Sequence, residues 1–305
     1  MALVVDPNAA AFQEKPLRDF YPRIEEALLR EGHEVQPFYP QPEETMDFLQ
    51  HISEDEEMEG IIAAGDDGLL AMAASLLIAK KKPLGILPLG KKNLLASDLR
   101  IPKDLGAAVK IIAQGQSQLI DVGDANGRIF LSRMSFGMHV WVENEISQPS
   151  RQAPFWKKAK KAISAFEREH RVDLTVFQQN QLAHQRALFL IITNNPAENP
   201  FGCPMRRQNL DAGLLGVYWP HSSSLADKAR LAFRFLFSKE GFTPQMENLV
   251  LETLTLESKE PAIDGALDGD EQLLPMPLVC RVRKQALRVF SPPPPEEENP
   301  KEQEE

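Results

Sequence analysis

Two glycine-bearing turns carry the residue types that could hold a phosphate group. The first, Gly65-Asp66-Asp67-Gly68, follows an apolar run over residues 60–64 and opens an apolar segment with helical spacing. The second, Gly90-Lys91-Lys92-Asn93, follows the apolar run 83–89. Glycine lets a backbone approach phosphate oxygens, and the unpaired amides at a helix N-terminus present partial positive charge to them.

Lys91 and Lys92 add cationic groups that could meet phosphate oxygens in the same place. Each turn also has a plainer interpretation. The first could be an ordinary strand-to-helix turn with polar capping residues, and the second a solvated basic loop. Which interpretation holds depends on whether the elements around the turns bring them together.

The surrounding elements predict that the turns share one edge of a sheet. Apolar runs alternate with segments of helical spacing up to about residue 119, and this alternation predicts a parallel sheet with right-handed crossovers. Ligands of such sheets lie beyond the carboxyl ends of the strands. We expect strands at Leu3–Val5, Val35–Tyr39, Gly60–Ala64 and Pro83–Leu87, and helices at Pro16–Arg30, Glu43–Ile52 and Leu69–Ala79.

The pattern of expected elements changes after residue 119, where strand-like runs have fewer helical segments between them. This pattern predicts a β-rich second part. The expected strands are Ile120–Val122, Arg128–Ser132, Val172–Phe177, Ala187–Ile192 and Leu249–Leu256, with helices at Phe155–Arg171 and Ser224–Phe237.

The two turns resemble the Gly-Gly-Asp-Gly-Thr and Pro-x-Gly-Thr-x-Asn-Asp-x-Ala signatures of the diacylglycerol kinase catalytic-domain family, which includes bacterial diacylglycerol and sphingosine kinase-like lipid kinases. Their order and spacing match. The resemblance continues to the last strand, through Ile101-Pro102, Leu119–Gly123, Ser135–Gly137, Asn194-Asn195, Arg206, Asp211–Leu215, Leu267–Asp270 and Ala286–Phe290.

The resemblance implies an α/β fold of two domains. Residues 1–122 would form an N-terminal parallel-sheet nucleotide-binding domain of the NAD kinase and diacylglycerol kinase type. Residues 123–291 would form a C-terminal β-rich sandwich domain for the lipid substrate, with a terminal strand able to return to the first domain. Residues 292–305, with six glutamates and one lysine after a proline run, are expected to be a disordered acidic tail.

The activity that the resemblance implies is magnesium-dependent transfer of the ATP γ-phosphoryl group to a lipid alcohol. ATP would bind at the two turns, residues 65–68 and 90–93. A carboxylate is needed near the acceptor hydroxyl to take its proton. On the match, Asp268 is this base and Asp270, at the family's Glu position, is its neighbour. Asp264 offers a second register, and an acidic residue in a hairpin turn is the structural alternative.

Several positions depart from the family signatures. Asp66 stands at the second glycine of the first turn and adds a negative charge there, while Leu69 replaces the Thr. Leu94 replaces the Asp of the second signature. Ala212 replaces the acid of the loop that helps to hold a structural magnesium ion in bacterial members, which leaves Asp211 as a displaced candidate metal ligand.

Two interpretations of these departures stay open. Lys91 and Lys92 could balance the charge of Asp66 and restore the phosphate site. Alternatively, the scaffold persists as a lipid- or nucleotide-binding protein with weakened phosphate affinity. Kinase action on NAD shares the glycine-turn type, but the segment Pro88–Ala96 resembles the lipid branch better.

Net charge and cysteine content limit the kinds of partner and metal site that we expect for this protein. The formal net charge of −10 argues against a general nucleic-acid binder, which normally has a basic surplus. The two cysteines are too few for a disulfide framework or a zinc cluster.

Because residues 1–6 do not resemble a leader, we expect a cytoplasmic protein, and a homodimer is compatible with the sequence. The basic amphipathic stretch 154–166 could contact a membrane surface transiently, although a plain surface helix is the preferred interpretation.

Overall fold

The computed structural model describes residues 1–9, 21–78, 80–137, 172–178, 181–187, 189–198, 207, 209–220 and 246–293. Within these ranges the chain forms α/β structure. The helices are α1 (Tyr21–Arg30), α2 (Thr45–Glu54), α3 (Asp67–Leu77), α4 (Leu94–Asp98) and α5 (Leu105–Ala113), and a short 3₁₀ turn over Pro42–Glu44 precedes α2. The expected helices at 155–171 and 224–237 lie outside the described residues.

Sixteen strands lie in the described ranges. They are β1 (Ala2–Val5), β2 (Gln36–Phe38), β3 (Ile61–Gly65), β4 (Leu84–Pro88), β5 (Ser117–Ala125), β6 (Arg128–Phe130), β7 (Arg133–Gly137), β8 (Val172–Gln178), β9 (Gln181–Ala187), β10 (Phe189–Asn194), β11 (Leu215–Pro220), β12 (Met246–Leu251), β13 (Thr253–Glu257), β14 (Ala262–Leu267), β15 (Asp270–Pro275) and β16 (Leu278–Phe290).

The first four strands form the parallel sheet that the sequence predicts. Their order is β2-β1-β3-β4, and every neighbouring pair is parallel. β1, β3 and β4 are buried along their whole length, as expected for a parallel sheet covered by helices on its faces. The carboxyl ends of β3 and β4, from which the two glycine turns start, therefore lie side by side.

The last strand, β16, extends the parallel sheet into the second half of the chain. Val289 pairs with Leu84 of β4 in parallel, and the rest of β16 pairs with β5 and β13 in antiparallel fashion. The described part of this sheet has ten strands, and a separate antiparallel sheet has the order β12-β11-β10-β7-β14-β15. The mixed α/β fold with a β-rich second part is thus confirmed, while the boundaries at residues 122 and 291 stay predictions.

The strand expected over residues 249–256 is wrong in one respect, because two strands occupy this segment. β12 ends at Leu251 and lies in the antiparallel sheet, whereas β13 begins at Thr253 and pairs with β16 in the other sheet. Glu252 is the crossing point. Its carbonyl oxygen accepts from Val282 N at 3.4 Å and its carboxylate pairs with Lys284, so the crossing is tied to β16.

Two buried carboxylates tie distant segments together. Asp121 is fully buried in β5 and accepts from Gly213 N at 2.6 Å and Gln285 N at 2.7 Å. The second, Asp98 at the end of α4, forms an ion pair with Arg207 at 2.7 Å, and both side chains are almost completely excluded from solvent. Arg207 also donates to the carbonyl oxygens of Leu131 and Asn194.

None of the helices in the described ranges combines the length and the apolar composition needed to cross a bilayer. The tail expected after residue 291 lies almost wholly outside the described residues, which end at residue 293.

Removal of the Arg207 guanidinium should destabilise the fold strongly. Arg207→Met leaves the Asp98 carboxylate buried without its cation, so we expect the free energy of unfolding to fall by about 3–5 kcal/mol. The matched control is Arg30→Met, which breaks the exposed pair with Glu26 and should change stability by about 0.5 kcal/mol or less. Urea unfolding of both variants measures the difference, and equal stabilities would contradict the role of the buried pair.

Candidate active site

The two glycine turns are in direct contact at the ends of β3 and β4. The amides of Leu89 and Gly90 both donate to the Gly65 carbonyl oxygen, at 3.0 and 3.1 Å. A Cβ atom built on Gly90 would lie 2.6 Å from the Cβ and 2.7 Å from the Cα of Asp66. Because that approach is too close for any side chain, glycine is required at position 90 for the two turns to meet.

The first turn uses Asp66 as the N-cap of α3. The backbone of Asp66 is extended, with φ of −93°, so the aspartate needs no conformation reserved for glycine. Its Oδ1 accepts from the amides of Gly68 at 3.1 Å and Leu69 at 3.2 Å. The polar-capping interpretation of this turn therefore describes its geometry, and two of the amides at the start of α3 already have a carboxylate partner.

The second turn is closed by the side chain of Asn93. This residue has a left-handed backbone, with φ of +52°, and is 4% exposed. Its Oδ1 accepts from Gly90 N at 3.0 Å, and its Nδ2 donates to the Gly90 carbonyl oxygen at 2.7 Å. Asn93 therefore shapes the turn and does not point into open space. Lys91, by contrast, is exposed.

Asp67 lies beneath the surface between the two turns. It is 6% exposed, and its Oδ1 accepts from Leu95 N, at the start of α4, at 3.4 Å. The pKa of Asp67 is raised to about 7, chiefly by burial and also by the nearby carboxylates of Asp268 and Asp66, while amides of α4 oppose the shift. Asp67 can therefore carry a proton close to neutral pH.

Asp268 and Gly269 form the two-residue turn between β14 and β15, with φ of +49° and +94°. These values fit the turn type that Asp-Gly sequences favour in hairpins. The Asp268 carboxylate is buried and accepts three backbone amides: Leu131 N at 2.7 Å, Ser132 N at 2.7 Å and Arg133 N at 2.9 Å. Both carboxylate oxygens are thus occupied, and burial raises the pKa of Asp268 although the amides oppose this.

Asp270 is the exposed carboxylate of the same hairpin. A Cβ atom built on Gly68 would lie 2.7 Å from Asp270 Oδ2, so this carboxylate sits directly over the first turn. Partial shielding from solvent raises the pKa of Asp270, the negative charge of Asp66 adds to this, and Lys92 opposes it. The Nζ of Lys92 lies 3.5 Å from the Gly269 carbonyl oxygen, between the second turn and the hairpin.

The structure therefore brings together nearly all the residues that the sequence singled out. The two turns and the hairpin converge: Asp67 interacts electrostatically with Asp66 and Asp268, and Asp270 interacts with Asp66 and Lys92. Asp264, the second register for the base, is exposed within β14 and pairs with Leu273 of β15.

Asp211 lies apart from this cluster. It lines a separate groove with, among others, Asp98, Arg100, Leu119 and Pro292. The described residues around it do not fit a structural magnesium ion, because the nearby Asp121 carboxylate is occupied by two backbone amides and Lys284 covers Gly213. Across the described ranges, no three His, Cys, Asp or Glu side chains are grouped to hold a metal. The role of Asp211 as a magnesium ligand therefore stays a prediction from the sequence.

Sequence reasoning missed the residues that hold the site in place. Arg207 and Asp98 are far apart in the chain, and nothing in either local sequence signals the pair. Asp121 had a signal, since a carboxylate inside the apolar run 120–122 must find partners if the run is buried. The amides of residues 131–133, which Asp268 accepts, could not be identified without the hairpin's position.

Comparisons with known proteins agree with this geometry. Residues 1–125 match the family described as the diacylglycerol kinase catalytic domain. A probable lipid kinase (YegS-like) of Klebsiella pneumoniae (strain 342) is 37% identical over 91 residues, or 28% of this chain and 31% of that protein. A diacylglycerol kinase of Staphylococcus aureus (strain JH9) is 30% identical over 179 residues, or 56% of each protein. The matches thus span about a third and about half of these relatives.

Solved structures match over nearly the whole chain. A crystal structure of a diacylglycerol kinase from Bacillus anthracis str. Sterne covers 96% of each chain with a TM-score of 0.70 and 17% identity. A putative diacylglycerol kinase from the same strain covers 96% of this chain and 97% of its own, with a TM-score of 0.73 and 17% identity. At this identity the likeness shows the fold.

A parallel sheet whose two glycine turns meet an acidic hairpin from a second sheet defines a mixed α/β protein with a β-rich second part. Residues 1–125 match the diacylglycerol kinase catalytic domain, and nearly the whole chain has the fold of the two solved structures.

Asp67 should make stability depend on pH. Its folded pKa of about 7 lies above the ordinary 3.8, so its stabilising contribution is full below about pH 4 and is lost as the pH rises to about 7. Asp67→Asn removes this titration. Relative to the unmodified protein, the variant should gain up to about 4 kcal/mol between about pH 4 and pH 8. Urea unfolding across this range tests the sign, and a difference independent of pH would contradict the buried carboxyl.

Asp268 should matter for the fold more than Asp264. Asp268→Asn keeps one acceptor oxygen but places an NH₂ group against backbone amides, so we expect a loss of about 2–3 kcal/mol. Asp264→Asn, on an exposed face of the same strand pair, should stay within about 0.5 kcal/mol of the unmodified protein. Chemical unfolding compares the two, and similar losses would count against the amide contacts of Asp268.

Proposed function

We propose that this chain is a lipid kinase that transfers the γ-phosphoryl group of ATP to the hydroxyl group of diacylglycerol or a related lipid alcohol. The family match over residues 1–125 supports the reaction class, and the relatives named above are lipid or diacylglycerol kinases. The observation that carries the proposal is the position of Asp270, an exposed carboxylate directly over the first turn.

Asp270 suits the role of proton acceptor better than Asp268. Both oxygens of Asp268 accept backbone amides, which makes this residue an anchor for the hairpin. Asp270 is exposed and free to approach a hydroxyl group, and its raised pKa makes it a stronger base than an ordinary carboxylate. Asp270 stands where the family signature has Glu, and its side chain is shorter by one methylene group. The lipid hydroxyl group would therefore have to approach closer to the backbone.

The proposed step balances as follows. The lipid hydroxyl proton passes to the Asp270 carboxylate while the lipid oxygen bonds to the γ-phosphorus atom, and the bond to the bridging oxygen breaks to release ADP. Lys91 and Lys92 would neutralise phosphate charge, as phosphoryl transfer requires. Across the described residues, no group of His, Cys, Asp and Glu side chains could hold a metal ion. In the proposal, magnesium arrives with ATP as the Mg–ATP complex, at the place where residues 65–68 and 90–93 meet the β14–β15 hairpin, which we call the crevice.

A lipid acceptor would place the reaction at a membrane surface. The basic stretch 154–166, which the sequence suggested for transient membrane contact, lies outside the described residues. We therefore keep peripheral association of a cytoplasmic protein as part of the proposal, supported by the nature of the acceptor and by the basic residues of that stretch.

The second candidate function is binding of a lipid or nucleotide without transfer. Two observations favour it: the amides of Gly68, Leu69 and Gly90 already have side-chain partners, and Leu94 stands at a signature Asp. Titration calorimetry with Mg–ATP and with lipid separates the candidates. Lipid binding without nucleotide binding would favour the second.

A transfer assay tests the kinase proposal. The protein is incubated with Mg–ATP and a panel of lipid alcohols, and phosphorylated lipid is detected by mass spectrometry. Asp270→Asn should lower the rate by a factor of about 100 or more, since it removes the base without changing side-chain size. Asp264→Asn, an exposed carboxylate on the neighbouring strand, should leave the rate unchanged. The kinase proposal fails if no lipid is phosphorylated, and the role of Asp270 fails if its variant keeps full activity.

A further inference from the structure

The N-terminus of α3, where a nucleotide phosphate would approach the first turn, already holds an anion from the chain itself. Asp66 Oδ1 lies 3.1 Å from Gly68 N and 3.2 Å from Leu69 N. A phosphate oxygen bound at this place would need the same two donors. The carboxylate thus takes the position and the hydrogen bonds that the resemblance assigned to the ligand.

The Cα and Cβ atoms of Asp66 are packed against the second turn, while its side chain is exposed to solvent. Gly90 of the second turn lies against the Asp66 Cα and Cβ atoms, so the backbone of the first turn is held in place at Asp66. A Cβ atom on Gly68 would lie 3.3 Å from Asp66 Oδ1 as well as 2.7 Å from Asp270 Oδ2. A phosphate that reached the amides would therefore have to displace one carboxylate and pass beside another.

We propose that the Asp66 carboxylate is a built-in competitor for phosphate at the first turn, which keeps the affinity of the crevice for nucleotides low. This inference rests on the proposed function only in taking the crevice as the place where nucleotide phosphates bind. It adds that nucleotide affinity is set by one side chain, which a single substitution can remove.

Electrostatics point the same way as geometry. The Asp66 and Asp270 carboxylates repel one another at the first turn, the buried Asp67 interacts with both Asp66 and Asp268, and the Lys92 ammonium group lies between the hairpin and the second turn. Like charges at such short range disfavour the binding of a further anion. Removal of Asp66 would release two amide donors and delete one negative charge, so both effects should raise phosphate affinity.

The experiment measures the binding of Mg–ATP and of inorganic tripolyphosphate by calorimetry. Asp66→Gly should bind both ligands at least about tenfold more tightly than the unmodified protein, because charge-assisted hydrogen bonds to phosphate become available. Asp66→Asn keeps an oxygen on the amides but loses the charge, and should give an intermediate gain. Tripolyphosphate has no base or ribose, so its response isolates the phosphate contact.

Asp104→Gly is the matched control. Asp104 caps α5 in the same manner, accepting from Ala107 N at 2.9 Å, and it belongs to neither glycine turn nor to the β14–β15 hairpin. The two glycine variants should show similar small losses in thermal midpoint, because glycine is tolerated at N-caps. The Asp104 variant should bind the ligands as the unmodified protein does. A folded Asp66→Gly or Asp66→Asn protein that gains no affinity for either ligand would overturn the inference.

The inference and the proposed function can fail separately. If no lipid is phosphorylated but Asp66→Gly binds tripolyphosphate more tightly, the kinase proposal falls and the competitor role stands. If the unmodified protein phosphorylates a lipid while the Asp66 variants bind nucleotide no better, the competitor role falls and the kinase proposal stands.

Discussion

The acceptance of three consecutive backbone amides by Asp268 is the interaction on which the candidate site depends. The amides belong to residues 131–133, where the chain leaves β6 of the ten-stranded sheet and enters β7 of the other sheet. Asp268 itself lies at the tip of the β14–β15 hairpin. A single buried carboxylate therefore fixes the hairpin to the crossing between the sheets, and this fixes where the neighbouring Asp270 can lie.

The buried guanidinium of Arg207 holds the same crossing segment from its other side. Leu131 donates its amide to Asp268 and accepts from Arg207 through its carbonyl oxygen, so one peptide segment is clamped between an anion and a cation. Arg207 is in turn paired with Asp98, at the end of the helix that follows the second turn. The second turn, the crossing segment and the hairpin thus form one hydrogen-bonded unit, in which a shift of one part must disturb the others.

The sequence predicted the parallel sheet and the position of both turns, because buried strands and helix starts leave local signals such as the apolar run 60–64 and the glycines that follow. It also offered, as an alternative, that polar residues of the first turn cap a helix, and the structure gives this role to Asp66. It did not predict the partners of Asp268, which lie 135–137 residues away, or the pair of Arg207 with Asp98, 109 residues apart. Contacts at such separation depend on how the sheets assemble, and a local pattern carries no information about them.

In the crevice, a phosphate group would consequently meet side chains more than backbone amides. The amides of Gly68 and Leu69 donate to Asp66, and the amide of Gly90 donates to Asn93. In the proposed function, the lysine ammonium groups are therefore among the groups that would meet a phosphate. An ammonium group on a flexible stem attracts an anion without fixing its orientation, whereas a row of backbone amides does both. For the proposed nucleotide binding, the Asp66 cap of the first turn therefore affects the orientation of the phosphates as much as their affinity. In the proposed function, the lysine ammonium groups attract the negative charge of the phosphates and the carboxylates of the hairpin repel it. Phosphate affinity would then depend on the balance between these two effects.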